Sequence, residues 1–214
     1  MTRILLILIC FIGYGATAQS YILVFLNKRT DKKELPKEEV DELMKGHLAN
    51  MDRLVEEGKL IVAGPFDGGG GIFIFKSNSV DETKVWISTD PAVKAELWNI
   101  EIFPFKPRKG GVCLVHEPYE MVTYSFIRFI PQITKFTAST YPQIFKRHDE
   151  YLTTLDVTGN VVSEGTFGET EGGILVMKGD LENEVVENDP GVKEMLMEFE
   201  VKKLWVAKGA FCEK

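Results

Sequence analysis

Residues 40–54, VDELMKGHLANMDRL, and residues 141–155, YPQIFKRHDEYLTTL, are two versions of one helix, and reading them as a pair decides the fold. Val40, Met44, His47, Met51 and Leu54 follow one another at steps of four, three, four and three residues, which sets them on a single core-facing stripe. Tyr141, Phe145, His148, Leu152 and Leu155 repeat that spacing. His47 and His148 lie 101 residues apart (148 − 47), and Phe25/Phe126, Met44/Phe145 and Gly64/Gly165 share the interval. Asp90-Pro91 recurs as Asp189-Pro190 at an interval of 99 (189 − 90), because the second copy is two residues shorter in between. The chain reads as a tandem duplication in which each half carries one His and one Asp at matched sites.

Outward from the helix, both copies show the same order. Residues 21–27 form an apolar, β-branched and aromatic run suited to a buried strand. Leu35-Pro36-Lys37-Glu38-Glu39 starts the helix, with proline in the first turn and acids at the positive end of the dipole, and Gly58 closes it. Strands over 60–63 and 72–76, a short helix over 80–87 with a further turn after Asp90, and a strand over 98–105 complete the copy. The second has a strand over 122–129, a helix over 142–156, strands over 161–164 and 174–178, a short helical region and a strand over 200–206. This β-α-β-β-α-β order is ferredoxin-like and belongs to the α+β class. It places both helices on one face of an antiparallel sheet and leaves the other face apolar, so two such sheets are expected to pack face to face.

The expected organisation is a signal peptide over 1–18, a repeat over 19–106, a linker over 107–120 without structure of its own, a second repeat over 121–208 and a tail over 209–214. Arg3, the apolar run 4–12 and Ala16-Thr17-Ala18 make the signal peptide, and the run is too short to span a bilayer. A protein cleaved before Gln19 would be exported to the periplasm or beyond, with no membrane attachment; Ile9 before Cys10 is too bulky for a lipidation signal. Removing Arg3 changes the formal net charge from −7 to −8 (24 − 32), and no basic stripe is present, which argues against a nucleic-acid partner. Cys113 and Cys212 survive cleavage and stand 99 residues apart (212 − 113), matching the repeat interval. A disulfide between them is permitted in an exported chain, and two unpaired thiols are the alternative.

His47 and His148 point between helix and sheet, where an imidazole needs hydrogen-bond partners, and Asp90 and Asp189 are the candidates. An Asp before Pro is also a natural helix N-cap. If ring and carboxylate meet, the carboxylate fixes one tautomer and the other ring nitrogen faces a cleft, an arrangement suited to proton transfer at a small substrate. No nucleophile motif accompanies the pair; Ser163 and Thr166 are lone hydroxyls. The run Asp67-Gly68-Gly69-Gly70-Gly71 precedes a strand rather than a helix, so it reads as a hairpin connection and not a phosphate cradle. One His and one Asp per copy are too few for a zinc or iron site, and no cofactor is expected.

Taken together, His47-Leu48 on a helix, Gly58 at its end, Ala63-Gly64-Pro65, a hairpin, then Asp90-Pro91 and a final strand resemble the YCII-related domain. The second copy keeps His148, Gly159, Gly165 and Asp189-Pro190, with Thr166 replacing the proline and Asp149 replacing the leucine. The resemblance implies a dimeric α/β barrel, here with the two halves of one chain as the two subunits. It also implies an acid–base pair in a cleft, carried over to His47 with Asp90 and to His148 with Asp189. The expected activity is an isomerase- or lyase-like reaction on a small molecule. A module that binds the ligand without changing it is the alternative, and a scaffold in which the pairs only support packing is a third reading.

Overall fold

In the computed structural model, which describes residues 20–29, 31, 35–168 and 172–212, the first half runs β1 (Tyr21–Lys28), α1 (Lys37–Glu56), β2 (Leu60–Pro65), β3 (Gly71–Lys76), α2 (Val80–Ile87), α3 (Pro91–Lys94) and β4 (Trp98–Lys109). The second half repeats this as β5 (Met121–Pro131), α4 (Tyr141–Asp156), β6 (Val161–Thr166), β7 (Gly173–Met177), α5 (Asn183–Glu187), α6 (Pro190–Lys193) and β8 (Met197–Ala207), with a short 3-10 turn at Ile133–Lys135. The expected signal peptide lies outside the described residues. Among the described residues no helix is long and apolar enough to cross a membrane.

The strands form one antiparallel sheet in the order β2-β3-β1-β4-β6-β7-β5-β8. β1 shows how sequence sets the layers. Its residues alternate between faces, and both faces are covered. Leu23 and Phe25 join Ile72, Phe126, Phe167 and Leu204 in a core shared by both halves, whereas Ile22, Val24 and Leu26 pack under α1 with Leu54 and Phe75. A third cluster, with Ile127, Phe129, Ile144 and Leu175, lies under α4. The architecture is therefore α+β, with two ferredoxin-like units pressed sheet to sheet and their helices outside.

The sheet closes on itself at two unequal seams. β4 pairs with β6 through Lys106↔Thr166, Pro107↔Gly165 and Lys109↔Glu164, while β8 meets β2 through the bridge Phe66↔Leu204 and the Asp67 N–H bonded to the Lys203 carbonyl at 2.9 Å. Each seam passes a glycine at a close approach. A Cβ on Gly64 would stand 2.8 Å from the Trp205 carbonyl oxygen, and one on Gly165 would stand 2.6 Å from the Phe105 ring. A larger residue at either would force the seam strands apart.

Two expectations are corrected. Residues 107–109, placed in an unstructured linker, continue β4, because only an extended strand reaches β6. The interval of 101 read from Phe25/Phe126 also slips in the first strand of each half. Leu26 pairs with Gly71 where Phe129 pairs with Gly173, so β1 and β5 correspond at 103 (129 − 26). A slip of two residues preserves which side chains face the core, so alternation alone does not reveal it. Cys113 and Cys212 form a disulfide with Cα atoms 5.8 Å apart, joining the segments that follow β4 and β8.

Candidate functional site

Asp90 ends the loop after α2 in an extended conformation and caps α3, its Oδ1 accepting from the Ala92 N–H at 2.8 Å and the Val93 N–H at 3.3 Å. Pro91 at the first helical position lacks the N–H that would go unsatisfied there. The other oxygen, Oδ2, accepts from His47 Nδ1 at 2.7 Å, and the Asn50 amide lies 3.5 Å away. Asp189 repeats the arrangement on α6, with the Gly191 N–H at 2.7 Å from Oδ1 and His148 Nδ1 at 2.6 Å from Oδ2. Both readings of the Asp are thus true at once: it is the cap and the partner of the imidazole. Burial pushes the Asp90 carboxyl up, but the His47 hydrogen bond and charge, with the two cap amides, together hold it below the ordinary aspartate value.

Both imidazoles are buried among aromatic rings, and each carboxylate is fully enclosed. In the neutral ring, Nδ1–H donation to the carboxylate fixes the tautomer and leaves Nε2 with a lone pair. Among the described residues Nε2 of neither ring has a hydrogen-bond partner, and neither is among the polar atoms sealed from solvent without one. The Asn50 carbonyl accepts from Arg53 and Thr89, so the His47 pair is bolted into a wider network.

The halves differ in what surrounds the ring. His47 stacks on Phe73 at 5.7 Å between centroids and leans on Trp98 at 5.0 Å. The strand register puts Leu175 and Met197 in the corresponding places of the second half, where His148 instead meets Phe129 edge-on at 4.8 Å. A cavity of about 600 Å³ opens at the β4–β6 seam, walled by Phe105, Phe129, Phe145, Phe167 and Met197, and His148 lies on its wall. Its size falls in the ordinary range for small-ligand sites. The corresponding hollow at the β8–β2 seam, about 560 Å³, is lined by Pro65, Phe66, Thr123 and Trp205 and does not reach His47. The structure therefore brings together ring and carboxylate in both halves but places only His148 on the wall of the larger cavity.

The rim of that cavity is set by residues that sequence reasoning passed over. Arg108 binds Glu164 through Nε and Nη2 at 2.9 and 2.6 Å and Asp149 through Nη1 at 2.8 Å. Asp149, read in sequence only as a departure from His-Leu, is thus a rim residue. Desolvation lowers the Arg108 pKa, but the two carboxylates outweigh it and hold the guanidinium charged. Lys109 pairs with Asp156 beside them. Among the described residues no three His, Cys, Asp or Glu side chains cluster as metal ligands would.

The order of elements, the His47–Asp90 contact and the Ala63-Gly64-Pro65 turn now stand together. Residues 22–106 match the family model of the YCII-related domain. The YCII-matched segment is the first half, with His47 and Asp90. No curated protein matches the chain in sequence. Among solved structures, an anthrone oxidase-like protein aligns with a TM-score of 0.51 at 9% identity, over 89% of this chain and 92% of that one. A chlorite dismutase-like protein gives 0.49 at 12%, over 90% and 96%, and a monooxygenase-like protein of Fusobacterium nucleatum subsp. nucleatum gives 0.43 at 12%, over 90% and 94%. These likenesses concern the fold.

Proposed function

We propose that the chain is a small-molecule enzyme in which His148, oriented by Asp189, moves a proton at a ligand held in the cavity between the two halves. The observation that supports this most is the position of His148: Nδ1 is spent on Asp189, Nε2 is unspent, and the ring stands on a cavity wall of apolar and aromatic side chains. In such a site Nε2 takes a proton from a ligand C–H or O–H. Returning it at another atom gives an isomerisation; losing a leaving group from the neighbouring carbon as the proton departs gives an elimination. Neither route changes an oxidation state or needs a co-reactant.

In this reading the second half is a diverged YCII-like copy, over about residues 121–208, that has become the working one. The first copy keeps its dyad as a structural element wedged between Phe73 and Trp98. The N-terminal pattern and the disulfide both favour export, since such bridges persist in oxidising compartments. A module that holds a ligand at His148 without changing it is the second reading.

The test is a screen of the purified protein against metabolite mixtures, with mass spectrometry following each component. For any component that is converted, His148→Ala and Asp189→Asn should lose at least about a hundredfold in rate, the scale of one acid–base group. His47→Ala should lower stability and leave the rate per folded molecule intact. Conversion by His148→Ala at the wild-type rate sinks the proposal; a component retained but returned unchanged supports the binding module.

A further inference from the structure

We infer that the cavity beside His148 takes an amphiphilic anion: a small molecule whose apolar body packs against Phe129 and Phe167 and whose acid group is held at the mouth by Lys106, Asn78 and Thr166. This deepens, and rests on, the reading of the cavity as a ligand site.

The polar groups on its wall divide into those already engaged and those still open. Arg108, Glu164 and Asp149 are bound to one another, and the Tyr21 hydroxyl donates to the Val112 carbonyl at 3.2 Å. The Lys106 ammonium, the Asn78 carboxamide and the Thr166 hydroxyl line the same cavity and have no side-chain hydrogen bond or ion pair among the described residues. All three can donate. Among the described residues the carboxylates on the wall are Asp149 and Glu164, both held by Arg108, so they leave the three donors open to an entering acid group. Lys106 and Asn78 come from the first half and Thr166 from the second, and Lys106 pairs with Thr166 across the seam that creates the cavity.

The other seam shows that this is not a by-product of the fold. By register, Lys106, Thr166 and Asn78 correspond to Trp205, Pro65 and Asp180, and that hollow also carries Asp67. Lys203, the cation on its wall among the described residues, is held by Asp180 at 2.5 Å. An acid group there would face two carboxylates and an engaged lysine. Thr166, where the first half has the proline of Ala63-Gly64-Pro65, is therefore a gain of a hydroxyl at the site.

The test uses two fluorescent probes of similar shape: 1-anilinonaphthalene-8-sulfonate, which carries an acid group, and N-phenyl-1-naphthylamine, which carries none. Both are titrated into the full chain with its disulfide intact. Both should bind with blue-shifted emission, the sulfonate more tightly. Lys106→Met should weaken the sulfonate about fivefold, the scale of one partly exposed ion pair, and leave the neutral probe unchanged, while Lys106→Arg restores the sulfonate. Lys203→Met, the control at the other seam, should change neither. Equal sulfonate binding by wild type and Lys106→Met, or weakening by Lys203→Met in its place, overturns the inference while leaving the cavity reading intact. Failure of the neutral probe to bind removes the cavity reading itself.

Discussion

One carboxylate does two jobs in each half. Oδ1 of Asp90 holds the first turn of α3 and Oδ2 holds His47, so the side chain that starts a helix also sets the tautomer of the ring. Because the folded Asp90 carboxyl lies below its unfolded value, its stabilisation is complete above the ordinary aspartate pKa of about 3.9 and is lost as pH falls through the lowered folded value. Asp90→Asn can still cap the helix through its amide oxygen but carries no charge. It should therefore melt lower than wild type near neutrality by about 1–2 kcal/mol, and the difference should shrink on acidification below pH about 4. Denaturant melts of both proteins across that range check this; a difference that does not change with pH rules out the carboxylate charge as the cause. The paired His and Asp were legible because both recur at matched places. Which pair faces a cavity was not. That depends on side-chain volume at Trp98 against Met197 and on Arg108 tying Asp149 to Glu164, relations between residues far apart in the chain.

At the scale of elements, helix spacing and strand runs located every repeated element, since each buries a stripe or a face that alternation exposes in sequence. The ends were less legible. β4 continues through Pro107 to Lys109 because β6 offers it partners, and that pairing is a property of the seam rather than of the local residues. The same seam predicts that Gly165→Ala, whose new Cβ would meet the Phe105 ring, should destabilise by about 1–3 kcal/mol and shrink the cavity. An unchanged melting curve would mean that the seam yields freely. Beyond the strand ends, the Cys113–Cys212 bridge ties together the two segments that seal the core with Val112, Ala210 and Phe211. It closes a loop of nearly the whole second half, so Cys113→Ser or reduction should cost about 2–4 kcal/mol, read as the change in denaturation midpoint. If reductant leaves the midpoint in place, the bridge contributes nothing to the folded chain.

At the scale of the whole molecule, two units of like element order share a common core. Sharing that core frees each half from burying a sheet face alone, and a single chain, unlike two identical subunits, can alter one seam without altering the other. The β4–β6 seam has a ladder, a rim of paired charges and open donors; the β8–β2 seam has one bridge and an exposed Trp205. The family likeness falls on the first half, and the chemistry is proposed for the second, so the division of labour is itself the claim to test. Crystals of the full chain soaked in a metabolite mixture do so directly. The account predicts ligand density in the β4–β6 cavity, with a hydrogen-bond donor or an acidic carbon against His148 Nε2; density against His47, with the His148 cavity empty, would contradict it.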